Sequence, residues 1–382
     1  MPEGNGRPAS LLVFADDWGH HPSSCQHLIR HFLPDRAVYW VNTIGTRTSR
    51  IDLGTLRRGG RKIREWLHGS PAESELPANL RVLHPKMWPW FSASPHRWIN
   101  QKLLARQLRP LLASLPRKVN VVTTIPLVAD LMGILPVERW IYYCVDDFNE
   151  WPGLDGATLR RMEETLVRKA DRLIAVSETL QAKLSQMGRR SELLTHGVDL
   201  DFWQAKDSVE IPGVVGMERP IVLFWGLIDR RMDLVFVRHL AETMTQGTLL
   251  LAGPEADPDP ELLKLPRTVR LGAVPFDQLP ALAHEASVLV MPYADLAVTR
   301  AMQPLKLKEY LATGKPVVVR DLPATRPWAD CLDVADSPSL FTARVLERLV
   351  TELPSPQAMG RRRLLEESWA SKAHCFSRWA LD

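Results

Sequence analysis

Short apolar runs alternate with longer amphipathic stretches along the 382-residue chain. The first run, Leu11 to Ala15, reads as a strand, and Ser23 or Ser24 can cap a helix whose Cys25, Leu28, Ile29 and Phe32 share one face. Ala37 to Asn42 is the next strand. A strand, a helix and a strand at this spacing form a βαβ unit, which implies a parallel sheet covered on both faces. Val119–Thr123, Trp140–Val145 and Leu173–Val176 continue the series of strands. Between them lie a helix or turn over Asp130–Leu135 and an amphipathic helix over Met162–Ala170, and Ser177 then caps a helix that ends near Gly188. Residues 201–219 are polar, contain Pro212 and two glycines, and read as a linker.

The pattern restarts at Ile221–Trp225, followed by Gly226 and a helix beginning near Asp233. Strands over Thr248–Ala252, Val269–Leu271 and the run ending in Met-Pro-Tyr293 come next, so this half also predicts a doubly wound parallel sheet. The stretch TRAMQPLKLKEYLATGKPVVV, Thr299 to Val319, then gives a loop, a helix opened by Pro304 and closed by Gly314, and a β-branched strand after Pro316. The C-terminal segment is helical.

This last pattern carries chemistry. A helix start presents unpaired backbone N–H groups and the positive end of its dipole, so the turn at Pro304 and Leu305 can hold a phosphate. Arg300 and Lys306 flank it, and Glu309, a little over one turn further on, can accept hydrogen bonds from two ribose hydroxyls. Gly226 and Gly253, each directly after a strand, allow close backbone approach to a ligand. Arg230 and Arg231 offer cations beside the first of these glycines, with solvated arginines of a turn as the alternative. In the first half, Asp146, Asp147 and Asn149 lie just past a strand, where ligands gather in open parallel sheets. There the acids can orient hydroxyls or serve as a base, or simply cap the turn. Trp18 and His20, after the first strand, and His196, ahead of the linker, complete the candidates in the first half; a lone histidine is more often structural. The first turn lacks G-x-G-x-x-G, which removes the main support for a dinucleotide site.

The segment PLKLKEYLATGKPVV resembles the donor-site signature of retaining GT-B glycosyltransferases of the large fourth family, in its subgroup with P-L-K-L-x-E-Y-L-A-x-G-K-P-V-V. IAVSETLQAKL, LLTHGVDLDFW and LGAVPFDQLPALAHEASVLVMPY resemble other stretches of that family. The resemblance implies a GT-B architecture, with two Rossmann-like domains facing across a cleft. It divides the chain into an acceptor domain, 1–203, with the 364–382 helix packing back on it, and a nucleotide-sugar domain, 204–363. It implies that Glu309 binds the ribose, that Val274 and Pro275 lie at the base, and that Arg230, Arg231 and Lys306 stabilise the leaving diphosphate; Asp146, from its place past a strand, is the acid with a candidate catalytic role. The family's first glutamate, which contacts the donor sugar, falls on Ala301. The implied activity is metal-independent sugar transfer, without a cofactor, to a glycan or lipid-linked acceptor in polysaccharide or cell-envelope synthesis. A nucleotide-sugar epimerase of the same fold and a non-catalytic donor-binding partner are the alternatives.

Composition narrows this only at the margins. Forty-eight Lys and Arg against 44 Asp and Glu give a net charge of +4, too little to imply nucleic-acid binding. Cys25, Cys144, Cys331 and Cys375 form no C-x-x-C pair, so a reducing compartment is the simplest expectation. No apolar run is long enough to span a bilayer, and a cytoplasmic chain is expected. The arginine-rich stretch 46–68 can lie on anionic headgroups through residues 47–67, placing the chain at the inner membrane face, or form a solvated basic segment. Trp88, Trp90 and Phe91 can stack on sugar rings, sit at a membrane interface or pack internally.

Overall fold

The computed structural model describes residues 8–19, 22–42, 76–116, 118–205 and 210–381. The basic stretch 46–68 and His20 lie outside the described residues. The chain divides into two compact units, one of Met1–Val176, Leu180–Leu194 and Ala373–Asp382, the other of Ser177–Thr179 and Thr195–Lys372.

The first unit is built on strands β1 (Leu11–Ala15), β2 (Val38–Asn42), β3 (Leu80–Leu83), β4 (Asn120–Thr123), β5 (Arg139–Cys144), β6 (Arg172–Ala175) and β7 (Glu192–Leu193). They pair in parallel in the order β3-β2-β1-β4-β5-β6-β7. All five residues of β1 are buried, as a central strand covered on both faces requires. Ser23 caps the Ser24–Arg30 helix by accepting from the Gln26 N–H, and Cys25, Leu28 and Ile29 are its buried face. Where a helix or turn is expected over Asp130–Leu135, the structure has a turn, preceded by a 3₁₀ helix over Pro126–Leu131. The 21-residue helix Ser94–Ser114 escaped the sequence reading because its apolar stripe is narrow: only Leu104, Ala105, Leu108 and Leu112 are buried. The chain's end belongs here too. Phe376 packs against Phe32 and Tyr143 at 6.0 and 5.8 Å, while Arg139 and Arg172 donate to the carbonyls of Ala380 and Trp379 at 2.9 and 3.1 Å.

The second unit holds β8 (Ile221–Trp225), β10 (Thr248–Ala252), β12 (Thr268–Gly272), β13 (Val288–Met291), β14 (Val317–Arg320) and β15 (Asp333–Ala335), parallel in the order β12-β10-β8-β13-β14-β15. A two-stranded ribbon of β9 (Ile228–Asp229) and β11 (Glu255–Ala256) extends from it. The chain runs outward from β8 to β10 and β12 on one side and returns to β13 on the other. The gap between the carboxyl ends of β8 and β13 is therefore the switch point where such sheets hold ligands.

The linker expected over 201–219 requires correction. Asp199 caps a helix, Leu200–Gln204, whose Trp203 is 2% exposed and stacks on Trp225 at 5.4 Å and 11°. Phe202 stacks on Phe276 at 4.7 Å, and Ile211 and Val214 enter the same core. Apolar residues spaced among polar ones kept the window average polar, yet each of these side chains finds a place in the second unit. Truncating Trp203→Ala should therefore cost about 3–5 kcal/mol, the usual loss for a buried tryptophan. Urea unfolding of the purified chain checks this; a loss below about 1 kcal/mol, the scale of surface substitutions, restores the linker reading.

Candidate active site

Side chains expected to bind a nucleotide converge on the switch point of the second sheet. β8 ends at Trp225 and passes into Gly226, whose φ of 135° lies in the region that favours glycine. A β-carbon at Gly226 would meet Lys306 Nζ at 1.9 Å, so the ammonium occupies the space this glycine leaves. Gly253, after β10, has φ 147°, and a β-carbon there would meet the Gly226 carbonyl oxygen at 1.9 Å. Two glycines thus stack backbone on backbone, tied by the Gly226 N–H to the Ala252 carbonyl at 2.8 Å and the Gly253 N–H to the Gly272 carbonyl at 2.7 Å.

Lys306 stands on the helix Leu305–Ala312, which begins at Pro304 without a side-chain cap. The Leu307 N–H donates to the Pro304 carbonyl at 3.1 Å, so the N–H groups of Leu305 and Lys306 are the ones placed to meet an anion. The ammonium donates to Tyr293 Oη at 2.6 Å and lies 4.6 Å from the centre of the Phe224 ring. Tyr293 follows β13 and Phe224 is in β8, so the two strands flanking the switch point both position Lys306.

Glu309 on the same helix is 7% exposed. Burial pushes its carboxyl from the ordinary 4.5 up to about 7, against the Lys306 charge and the Trp225 indole, which pull it down. Trp225 Nε1 is buried and meets no acceptor at full hydrogen-bond geometry. Tyr310 fixes the neighbouring backbone, accepting from the Trp225 N–H at 3.0 Å and donating to the Trp225 carbonyl at 3.3 Å. A carboxylate held beside a lysine and a helix start is suited to paired hydroxyls next to phosphate.

The two arginines after Gly226 separate cleanly. Arg231 is buried, donates through Nε to both oxygens of Asp229 at 3.0 Å, and lies 5.7 Å from the Tyr293 ring centre. Arg230 is half-exposed and leans toward Asp257 and Asp259 at 3.4 and 3.9 Å. Arg300, expected beside the phosphate seat, instead forms a two-pronged pair with exposed-side Asp295 at 2.5 and 2.7 Å, and that carboxylate holds its charge at the surface. Val274 and Pro275 follow β12, with Val274 half-buried and Pro275 exposed. Ala301 is buried and contributes only its carbonyl, which accepts from Ser177 Oγ at 2.5 Å.

Sequence reading missed Lys308. It is 2% exposed, and its ammonium donates to Thr195 Oγ1 at 3.1 Å, to the His196 carbonyl and to the Glu367 carboxylate. Burial lowers it to about 8, while Glu367, shared with Lys372 at 2.6 Å, opposes that. This strut ties the Lys306–Glu309 helix to the 195–198 and 361–372 segments. His196 is buried against Trp369 at 6.2 Å, and a β-carbon at Gly197 would meet that indole at 2.7 Å.

In the first unit, Asp147 accepts from Lys183 at 2.7 Å. Lys183 also bonds Glu163 at 2.6 Å, and Glu163 further accepts from Tyr142 Oη and Asn149 Nδ2, both at 2.8 Å. The two carboxylates outweigh burial and raise the Lys183 ammonium above its ordinary value. Asp147 is thereby committed to holding its loop, and Asp146, half-buried, is carried beside it. The overlooked member is Glu163, a charge on an otherwise apolar helix face. Trp18 packs edge-on to Trp40 at 4.9 Å, and its backbone N–H donates to Asn42 Oδ1 at 3.0 Å. Among the described residues, no three His, Cys, Asp or Glu side chains gather as a metal-ligand set.

Residues 219–348, the stretch carrying the nucleotide-type site, match the family described as Glycosyl transferases group 1. Among individual proteins, the chain is 28% identical over 176 residues to TuaH of Bacillus subtilis (strain 168), named as a teichuronic acid biosynthesis glycosyltransferase; the match spans 44% of each chain. Two solved structures share the fold over nearly their full length. Sucrose-phosphate synthase from Thermosynechococcus elongatus matches with TM-score 0.70 and 15% identity, over 97% of this chain and 98% of that one. Anabaena HepE in complex with UDP-glucose matches with TM-score 0.64 and 14% identity, over 97% and 98%. The fold is GT-B.

The state of Glu309 has a measurable consequence. Below about pH 4.5 the carboxyl is protonated in the folded and unfolded chain alike, and burial has no charge to oppose. As pH rises toward 7 the unfolded chain releases this proton first, so stability falls, and above that range the loss is constant. Glu309→Gln should therefore gain on the wild type by up to about 3 kcal/mol across this interval, read by urea unfolding at several pH values. A difference that stays flat with pH would show that the carboxyl is not desolvated.

Proposed function

We propose that this chain is a glycosyltransferase that moves a sugar from a nucleotide-sugar to a glycan or lipid-linked acceptor, with retention, in cell-envelope polysaccharide assembly. The observation that carries this reading is the meeting of Glu309, Lys306 and an uncapped helix start over Gly226 at the sheet's switch point. Glu309 accepts from the ribose hydroxyls, while Lys306 and the first-turn N–H groups meet the diphosphate. They bear more charge as it leaves, so they act on the transition state more than on the bound donor. Arg231, held by Asp229, adds positive charge beside Tyr293. Gly226 and Gly253 let the backbone approach the ligand, and Val274 and Pro275 face the base. Asp146 is the candidate catalytic acid of the first unit, whereas His196 is buried against Trp369 in the second. The nucleotide-sugar is the donor substrate, and the reaction draws on no further cofactor.

UDP is the first candidate nucleotide, because HepE is recorded with UDP-glucose and a similar Escherichia coli fold with UDP-2-fluoro glucose. The name of the Bacillus relative supports an envelope setting. In this reading the chain works at the cytoplasmic face of a membrane. No described helix is long and apolar enough to cross one. Ala301, a buried methyl where the resembling family has its sugar-contacting glutamate, favours a second reading, a chain that binds the donor without turning it over.

Thermal unfolding with UDP, GDP, ADP, TDP and CMP separates these. One nucleotide at about 100 times its dissociation constant should add about 2.7 kcal/mol of stability, and Glu309→Ala should abolish the shift. With the matching sugar donor and lipid-linked acceptors, Lys306→Ala should lower turnover by about 10²–10³. Stabilisation by none of the nucleotides sinks the proposal; binding without transfer selects the second reading, and isomerisation of donor alone identifies an epimerase.

A further inference from the structure

The chain's positive charge is not spread evenly. From residue 76 to residue 129 there is no Asp or Glu but there are eight Lys and Arg, so the remainder of the chain is net acidic. The helix Ser94–Ser114 is the centre of this segment, with Arg97, Lys102, Arg106 and Arg109 and no acidic residue. Arg97 is neutralised by Asp130 at 2.6 Å. Trp98, Lys102, Arg106 and Arg109 lie four, four and three residues apart and ride one stripe, beside the buried stripe of Leu104, Ala105, Leu108 and Leu112. All four are exposed, and none has an acidic partner among the described residues.

Trp98 is 60% exposed, with Lys102 Nζ 5.8 Å from its ring centre. The opposite flank of the helix, nearly half a turn round from that stripe, holds the loop 86–91: Asn100 exchanges hydrogen bonds with the Trp88 main chain, and Gln107 does so with Lys86. That loop exposes Lys86 and leaves Trp88 40% exposed against Trp90 at 5.1 Å. The outward Trp98 beside uncompensated cations has the composition of a side chain set for a bilayer interface, where the indole sits at headgroup level and the cations meet lipid phosphates.

We infer that the stripe of Trp98, Lys102, Arg106 and Arg109 on the Ser94–Ser114 helix is a docking surface for an anionic lipid bilayer. This deepens the proposed function by naming where the chain meets the membrane, and rests on that reading only for its setting. Each cation near an anionic surface is worth roughly fivefold in affinity, so Lys102, Arg106 and Arg109 together with Trp98 suffice for reversible binding.

Co-sedimentation of the full chain with vesicles of phosphatidylcholine alone, or mixed with phosphatidylglycerol, tests the surface. The wild type should pellet with the mixed vesicles only and be released by high salt. K102E/R106E should lose at least about 30-fold in vesicle affinity, and W98S several-fold, with unchanged circular dichroism and melting temperature. The same samples should keep their nucleotide-induced thermal shift, which reports on the donor site independently. Wild-type binding that survives both variants places the contact elsewhere and overturns the proposal. Equal binding to both kinds of vesicle, or retention on DNA with none on vesicles, overturns it as well.

Discussion

The second unit is arranged around an ammonium in the place of a side chain. Lys306 fills the volume that Gly226 leaves open, and any β-carbon at that position would expel it. The ammonium is bonded to Tyr293 and lies over Phe224, so the two strands at the switch point both fix it. Gly253 is constrained in turn, because it packs on the Gly226 carbonyl. One close approach thus determines two backbone conformations, the path of two strand exits and the position of a charge. The charge so fixed lies at the switch point of the sheet, which is the physical reason to read it as part of a ligand site.

The helix that supplies Lys306 and Glu309 is short, and it needs support from elsewhere. Its apolar side, Leu307, Tyr310 and Leu311, enters the core, and Tyr310 pins the end of β8 through two hydrogen bonds. Lys308 holds the opposite side to Glu367 and Thr195. A buried lysine paired in this way adds little net stability, but it fixes position, since any other placement leaves a charge without its partner. Site precision here comes from packing and a buried ion pair rather than from the helix itself.

The first unit spends its polar groups differently. Glu163, Lys183, Asp147, Asn149 and Tyr142 satisfy one another under the loop that carries Asp146, which gives that loop a defined shape at the end of β5. The cationic stripe on the Ser94–Ser114 helix has no such counter-charges among the described residues. Charges that are internally paired organise a fold, whereas charges left unpaired on a surface are available to a partner.

The sequence by itself determined the alternating strand and helix order, because buried parallel strands must be continuous apolar runs: β1, β8 and β10 fall at Leu11–Ala15, Ile221–Trp225 and Thr248–Ala252, as their patterns require. The helix start at Pro304 and the close approach at Gly226 were legible for the same kind of reason, since proline and glycine constrain the backbone locally. The Ser94–Ser114 helix was not legible, as a narrow apolar stripe among cations resembles a solvated segment. Only the tertiary structure decided which of Arg230 and Arg231 is buried, that Arg300 pairs with Asp295, that Trp203 belongs to a core rather than a linker, and that Lys308 is a strut. Local chemistry sets which conformations a residue can adopt; the partner of a long side chain depends on residues brought from far along the chain, and no spacing in the sequence encodes that meeting.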